Sequence, residues 1–441
     1  MRVLALVDGE HYPPVTRWGL DVARTLGHDV VGALLMGGTE KVDPREPPDL
    51  GVPTSVARAD RAAALAAAIE AVRPDAVLDL SDEPVLGYRE RMELAAVALA
   101  RGLPYLGADF RLDPPVEGPP LPVPTVAVIG TGKRTGKTAI GAETARLARE
   151  AGLGPVVVAM GRGGPAEPQV ARAGSVDLGA LVELVRRGEH AASDYLEDAL
   201  TAGVTAIGAR RAGGGLAGAP FASTARAAAE VALGLGPGIV VLEGSGSAVP
   251  PVPWDAGILV VPASAPPEYL GGYLGPLRLL LSDLVVVTMA GSPTGLENVP
   301  ALRSHVRRLR PGARFVVTDF VPAPLQDVEG RTAFLATTAP PGVAEEQVRH
   351  LERAHGCRVV GWSARLADRA GLVEDLDGAE RYDVLLTELK AAAVDVACER
   401  ALSRGADVVF LRHRPVPLEG DDVEGAIRRI LELAMERGGT R

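Results

Sequence analysis

The sequence predicts an α/β protein built on parallel sheets, and three observations predict it. Short apolar β-type runs alternate with helical patterns along all 441 residues, the pattern of buried parallel strands joined by right-handed crossovers. One of these runs ends in a glycine-rich turn that opens directly into a helix. Between the first group of elements and that turn lies Asp113-Pro-Pro-Val-Glu-Gly-Pro-Pro-Leu-Pro-Val-Pro124. Its six prolines in twelve residues bar regular helix or central strand and read as a semi-rigid linker.

In chain order, residues 1–118 read as a Rossmann-like N-terminal domain. Strands are expected at 3–7, 29–36 and 75–80, and helices at 15–27, 57–72 and 88–101. The unit has no glycine fingerprint, so no dinucleotide is assigned to it. Two polar turns follow its strands, Asp8-Gly-Glu-His-Tyr-Pro-Pro14 and Asp79-Leu-Ser-Asp-Glu-Pro84. Ligands of open α/β sheets bind beyond the carboxyl ends of strands, which makes Asp8, Glu10, His11, Asp79 and Asp82 candidates for substrate binding. Ordinary turn and capping chemistry explains the same residues equally well.

Residues 122–328 form the second unit. The run Thr125-Val-Ala-Val-Ile129 leads into Gly130-Thr-Gly-Lys-Arg-Thr-Gly-Lys-Thr138 and then a helical segment to Arg149. Strand, glycine loop and helix in that order is the setting of a phosphate-binding P-loop, so this unit reads as a P-loop NTPase domain. Backbone N–H groups and the helix N-terminus would cradle a polyphosphate, making all of Gly130, Thr131, Gly132, Lys133, Arg134, Thr135, Gly136, Lys137 and Thr138 ATP-binding candidates. Lys137 would reach the β- and γ-phosphates and Thr138 would ligate Mg²⁺. The usual pattern has glycine five residues before Gly136; here that position is Thr131, flanked by glycines. Further strands are expected at 155–160, 239–242, 258–262, 284–289 and 314–318, with helices at 178–187, 194–200, 223–235, 269–281 and 296–309. Residues 210–220, rich in glycine and led by Arg210 and Arg211, read as a mobile loop.

Residues 329–441 continue the alternation as an α/β C-terminal extension, either prolonging the P-loop sheet or forming a third unit. Strands are expected at 331–337, 358–362, 383–386 and 407–411, helices at 343–355, 366–376, 388–404 and 423–437.

Composition narrows the function. A net charge of −10 argues against nucleic acid and anionic membrane as partners. No signal-peptide pattern or membrane-spanning run is present, so the expectation is a soluble cytoplasmic protein. Cys357 and Cys398 are the only two cysteines, and neither has a metal-ligand spacing. Of 46 basic residues four are lysine, at 41, 133, 137 and 390. Where arginine is the default cation, a lysine suggests a chemical choice, a point charge in place of a planar fork.

The chemistry-bearing candidates follow. Lys133, Arg134 and Lys137 crowd one helix start and would repel one another without an anion among them. Glu243 ends the run 239–242 ahead of Gly-Ser-Gly, where a P-loop enzyme places a metal-holding carboxylate. Arg162 sits among glycines at a strand end, within reach of a phosphate or simply at the surface. Lys390 lies in Asp383-Val-Leu-Leu-Thr-Glu-Leu-Lys390, with Thr387 as the expected N-cap. A cation in that first turn opposes the helix dipole unless an anion binds there. Lys133, Lys137, Glu243 and Lys390 are thus the catalytic candidates, and Arg134, Arg162 and Lys390 face the substrate beside Asp8, His11 and Asp79.

The loop and the Glu243-Gly-Ser-Gly246 segment resemble those of dethiobiotin synthetase. With Asp8-Gly-Glu-His-Tyr-Pro-Pro14, Met160-Gly-Arg-Gly-Gly-Pro165 and Thr387-Glu-Leu-Lys-Ala-Ala-Ala-Val-Asp395, the set resembles the cyclic 2,3-diphosphoglycerate synthetase family over nearly the whole chain. The resemblance implies an ATP- and Mg²⁺-dependent ligase that closes 2,3-diphosphoglycerate into its cyclic phosphoanhydride, with ADP and phosphate as products. It also implies phosphorylation of 2-phosphoglycerate as a side activity to test and a phosphorylated glycerate as the small-molecule partner; the oligomeric state stays open, with a homodimer as the assembly to test. Two rivals stand beside it. One is another P-loop ligase or kinase acting on a small carboxylate. The other is a regulatory P-loop ATPase switch, although the lysine five residues before the loop lysine in those proteins is here Gly132.

Overall fold

The computed structural model describes every residue except 39, 44, 59, 292, 421, 440 and 441. The N-terminal unit runs β1 (Arg2–Val7), α1 (Pro13–Thr25), β2 (Asp29–Leu35), β3 (Thr54–Val56), α2 (Arg61–Val72), β4 (Ala76–Asp79), α3 (Tyr88–Leu99), β5 (Tyr105–Leu106) and β6 (Arg111–Leu112). Its six strands lie in the order β3-β2-β1-β4-β5-β6, all parallel except the last pair. α2 starts later than expected because the Asp60 carboxylate accepts from the Ala63 N–H and caps it there. Of the expected extra turn, residue 59 lies outside the described residues.

The chain then continues through β7 (Thr125–Gly130), α4 (Lys137–Glu150), β8 (Pro155–Gly161), β9 (Gln169–Ala171), α5 (Leu178–Arg186), α6 (Asp194–Ala202), β10 (Thr205–Ala212), β11 (Ala222–Ser223), α7 (Ala225–Leu233), β12 (Ile239–Glu243) and β13 (Ala256–Pro262). After these come α8 (Glu268–Gly271), α9 (Gly275–Leu280), β14 (Leu284–Thr288), α10 (Pro293–Leu309) and β15 (Arg314–Pro324). β7, β8 and β12 are buried along their whole length, the reason their sequences are continuous apolar runs without alternation. The last third supplies β16 (Thr332–Ala336), α11 (Pro341–His355), β17 (Arg358–Ser363), α12 (Arg369–Gly378), β18 (Val384–Thr387), α13 (Glu399–Ser403), β19 (Asp407–Gly420) and α14 (Val423–Gly438).

From β7 onward the strands make one 13-stranded sheet, β11-β10-β8-β12-β7-β13-β14-β15-β19-β18-β16-β17, with β9 beside β10. One apolar core continues across it, from Val128 and Ile140 on the P-loop side to Phe334, Leu385 and Ile427. The expected strands 331–337, 358–362 and 383–386 therefore extend the P-loop sheet. They join it through a ribbon that reverses direction. β15 leaves β14 in parallel at residues 314–317 and pairs antiparallel with β19 as far as Pro324 opposite Leu411. β19 itself begins beside β18, in parallel, at residues 407–410. The parallel strands on the two sides of the ribbon thus run toward each other, and their carboxyl ends face one cleft.

Several expectations need correction. Residues 205–212, not read as a strand, form β10, so Arg210 and Arg211 belong to a strand and not to a loop. The helix expected over 269–281 is two short ones, because the chain turns extended at Gly272. The helix expected over 388–404 is broken too. Residues 388–392 form a turn with Ala391 at φ 48°, followed by a π-helical stretch, Ala393–Cys398, and α13. Thr387 accordingly ends β18 and caps nothing, and Lys390 is not in a first helical turn. The physical cause is Glu388, whose carboxylate is drawn back by the donors described below. Among the described residues no helix is long and apolar enough to cross a membrane.

Candidate functional site

The P-loop follows the central strand β7 and wraps the start of α4. Gly136 stands at φ 86° as the residue before the helix, a left-handed conformation that glycine adopts without strain. A Cβ there would also come within 2.6 Å of the Phe320 ring from β15. The β15 ribbon therefore lies directly on the loop. Thr288, at the end of β14, donates its hydroxyl to the Thr135 carbonyl at 2.7 Å. Lys137 is buried and its ammonium donates to the Gly132 carbonyl at 2.7 Å and to the Thr135 hydroxyl at 3.3 Å. Burial pushes its pKa down to about 8, against the pull of Glu243 and Asp194. Lys133 and Arg134 are exposed, and Arg134 takes φ 56°.

Glu243 ends β12, one strand over from β7. It is 3% exposed and its Oε1 has no hydrogen-bond partner. Its carboxyl packs on α4 at Gly141, where a Cβ would overlap it. Burial, then the charges of Asp194 and Glu197, raise its pKa well above the usual carboxylate range. An orphaned carboxylate oxygen beside the helix that begins Lys137-Thr138 is a hard-oxygen arrangement suited to Mg²⁺, an ion that keeps waters and phosphates as its remaining ligands. Among the described residues no group of three or more His, Cys, Asp or Glu would hold a metal by itself, which such shared coordination does not need.

The opposite wall comes from α6 and the C-terminal strands. α6 presents Asp194, Glu197 and Asp198, an i, i+3, i+4 set on one face. Asp198 is fully buried with both oxygens unpartnered, and burial together with Glu243 raises its pKa. Lys390 lies 3.4 Å from Glu197 and 3.7 Å from Glu388; Glu197 above all, with Glu388, raises its pKa. Glu388 collects the Thr337 hydroxyl at 3.2 Å, the Thr338 N–H at 2.5 Å and hydroxyl at 2.7 Å, and His413 Nε2 at 2.9 Å. Burial works to raise its pKa, but the His413 hydrogen bond and the Lys390 charge overcome this and hold it well below the carboxylate range. His413 meets Phe320 edge to face and lines one small pocket with Thr138, Glu197 and Arg412. The C-terminal strands thus reach the start of the P-loop helix.

The sequence candidates fall into two places. Lys137 and Lys390 both act on the Glu243 carboxyl by their charge and Thr138 shares a small pocket with Glu197 and His413, while Lys133 and Arg134 in the loop and Arg162 after β8 are exposed. Asp8, His11 and Asp79 are brought together elsewhere, at the carboxyl ends of β1 and β4. There Asp8 accepts from the Glu10 and Asp82 N–H groups. Asp79 accepts from Ser81 N–H and the Tyr105 hydroxyl and faces Arg91 at 3.4 Å. His11 lines an open cleft of about 440 Å³ with Glu10, Asp82, Glu83, Pro84 and Arg91. Sequence reasoning missed Glu197, Asp198, Glu388, His413 and Arg211. The carboxylate spacing of α6 was visible; the partners of Glu388 and His413 were not, because they come from elements dozens of residues apart.

Comparison with known proteins adds three domain matches: cyclic 2,3-diphosphoglycerate synthetase, N-terminal domain, at residues 2–113; P-loop domain at 125–319; and C-terminal domain at 324–414. Relatives named cyclic 2,3-diphosphoglycerate synthetase include that of Rubrobacter xylanophilus, 46% identical over 441 residues, covering 98% of each chain. That of Methanothermus fervidus is 39% identical, covering 99% of this chain and 98% of its own. That of Thermococcus sibiricus is 40% identical, covering 99% of each.

Proposed function

The chain belongs to the cyclic 2,3-diphosphoglycerate synthetase family, and from that premise we propose how its residues perform the reaction. The enzyme uses ATP to form the intramolecular phosphoanhydride of 2,3-diphosphoglycerate. The P-loop, Gly130 to Thr138, holds ATP, with Lys137 on the β- and γ-phosphates. A substrate phosphate oxygen attacks the γ-phosphorus; the new P–O bond forms as the bond to ADP breaks. An oxygen of the neighbouring phosphate then attacks the first substrate phosphorus, expelling inorganic phosphate and closing the ring. Holding both groups in one molecule and one cleft supplies much of the ring-closing rate.

Lys133, Arg134, Arg162 and Lys390 counter the charge that gathers at the γ-phosphorus, and Lys390 does so from a fixed place because two carboxylates orient it. Mg²⁺ at Thr138 and Glu243 would supply further neutralisation of the phosphate oxygens. Asp8, His11 and Asp79 are proposed as the N-terminal contribution to substrate binding, His11 at the rim and the aspartates shaping its backbone. The units 1–118, 122–328 and 329–441 are proposed as the working divisions of the enzyme, and phosphorylation of 2-phosphoglycerate as a secondary activity.

The observation that carries the reading is buried Lys137 facing unpartnered Glu243 across a P-loop, in a chain covered end to end by one family. The test is ³¹P NMR of the protein with ATP, Mg²⁺ and 2,3-diphosphoglycerate. Two coupled ring-phosphorus signals should grow with ADP and free phosphate, and Lys137→Ala should abolish them. ATP consumption without ring signals would reject the cyclase assignment.

A further inference from the structure

Beside the nucleotide cradle, β10, β8, β12 and β7 lie in that order in the sheet and run parallel. Their carboxyl ends carry Arg211 on β10, Arg162 just after β8, the Gly244–Ser247 turn after β12, and Lys133 in the loop after β7. Gly246, at φ 62°, lies between two of these cations. A Cβ on it would stand 3.3 Å from an Arg211 terminal nitrogen and 3.6 Å from Lys133 Cγ. Arg162 is close enough that its charge, after burial, lowers the proton affinity of Arg211.

Arg211 is the unusual member. It is 9% exposed, and its guanidinium donates to two carbonyls, Gly213 O and Ser245 O. Its buried Nε has no partner, and among the described residues no carboxylate forms an ion pair with Arg211, Arg162 or Lys133. A buried arginine ordinarily has a carboxylate or phosphate against it. Buried Arg211 without a counter-charge, with Arg162 and Lys133 beside it at the crevice where open α/β sheets bind ligands, is costly until an anion arrives.

We infer that Arg211 and Arg162, with Lys133 reaching over from the P-loop, form a phosphate subsite next to the ATP cradle, which takes a phosphomonoester dianion of the substrate. The inference rests on the cyclase reading for the identity of that substrate, and on the cation cluster alone for its anion class. The subsite holds the substrate's phosphates beside the γ-phosphoryl group, and the stapled Ser245 carbonyl keeps the turn after Glu243 in place while it does so.

The test uses the full-length protein. Calorimetric titration of inorganic phosphate in the presence of saturating ADP should show a site in the wild type that Arg162→Ala and Arg211→Ala weaken by about tenfold or more. ADP affinity should stay within about twofold, and KM for 2,3-diphosphoglycerate should rise with the phosphate dissociation constant while kcat falls less. Because Arg162 is exposed, its variant reports even where Arg211→Ala misfolds. Arg211→Lys, which keeps the charge, should recover part of the affinity. Unchanged phosphate affinity in both variants, or a parallel loss of ADP affinity, would overturn the subsite. Phosphate binding that depends on these arginines in a protein that makes no cyclic product would instead keep the subsite and reject the cyclase.

Discussion

Cations occupy both sides of the nucleotide cradle, but in different company. On the β10–β8–β12 side, Arg211, Arg162 and Lys133 have no carboxylate partner among the described residues. On the α6 and C-terminal side, Lys390 is ion-paired with Glu197 and Glu388, and Glu388 is saturated with donors. The contrast separates two uses of the same charge. Cations clustered at strand ends without carboxylates offer a binding surface for an anion, whereas a cation enclosed by carboxylates gives a fixed field. It also separates where the energy goes. The first group should matter for substrate affinity, the second for holding the C-terminal strands against the P-loop unit.

Substitutions can break that distinction. The largest effect on stability is expected for Glu388→Ala, which leaves His413, Thr337 and Thr338 without their acceptor and Lys390 with one counter-charge. A loss of about 3 kcal/mol is expected, read as a lower midpoint in urea denaturation at constant m-value; a change under about 0.5 kcal/mol would show that the carboxylate clamps nothing. Gly141→Ala comes next. Its methyl collides with Glu243, so a loss of about 1–3 kcal/mol from overpacking should accompany a fall in cyclase turnover as the Glu243 carboxyl moves.

Proton linkage gives a smaller effect. Burial depresses the Lys137 pKa from 10.5 to about 8. The unfolded chain then binds more protons than the folded one between those two values, so folding stability should rise with pH across that window. The empty site loses its cation over the same range, while bound ATP restores it by bringing negative charge. The free-enzyme profile, kcat/KM for ATP, should therefore fall above pH about 8, with the kcat limb displaced upward; coincident limbs would contradict this. Smallest of all, Arg162→Ala should leave the denaturation midpoint unchanged, completing the contrast with Glu388→Ala.

Much of the fold was legible along the chain. Local signals carried it: continuous apolar runs for strands buried on both faces, a glycine loop opening a helix, and a proline-dense linker. Where those signals failed, a local feature was overruled from a distance. Residues 388–404 have helical composition, yet donors on Thr337, Thr338 and His413 pull Glu388 into a turn and Ala391 into a left-handed conformation. Arg210 and Arg211 precede glycines and read as loop, yet pairing of Arg210 with Gly161 of β8 and of Arg211 with Ser223 of β11 makes them a strand end.

The P-loop was fixed locally, because it is made of neighbours: Gly130 to Thr138 are contiguous, and their spacing is their geometry. The sequence by itself also determined that Glu243 would end a buried strand. Only the tertiary structure decided which cations are compensated. The ribbon of β15 and β19 reverses the sheet and turns two sets of strand ends toward one cleft. That reversal carries Lys390 to Glu197, 193 positions earlier in the chain, whereas Arg211 on the far side of the sheet donates to the Gly213 and Ser245 carbonyls. Charge balance is a sum over space, and residues distant in the chain enter it only after the sheet has closed.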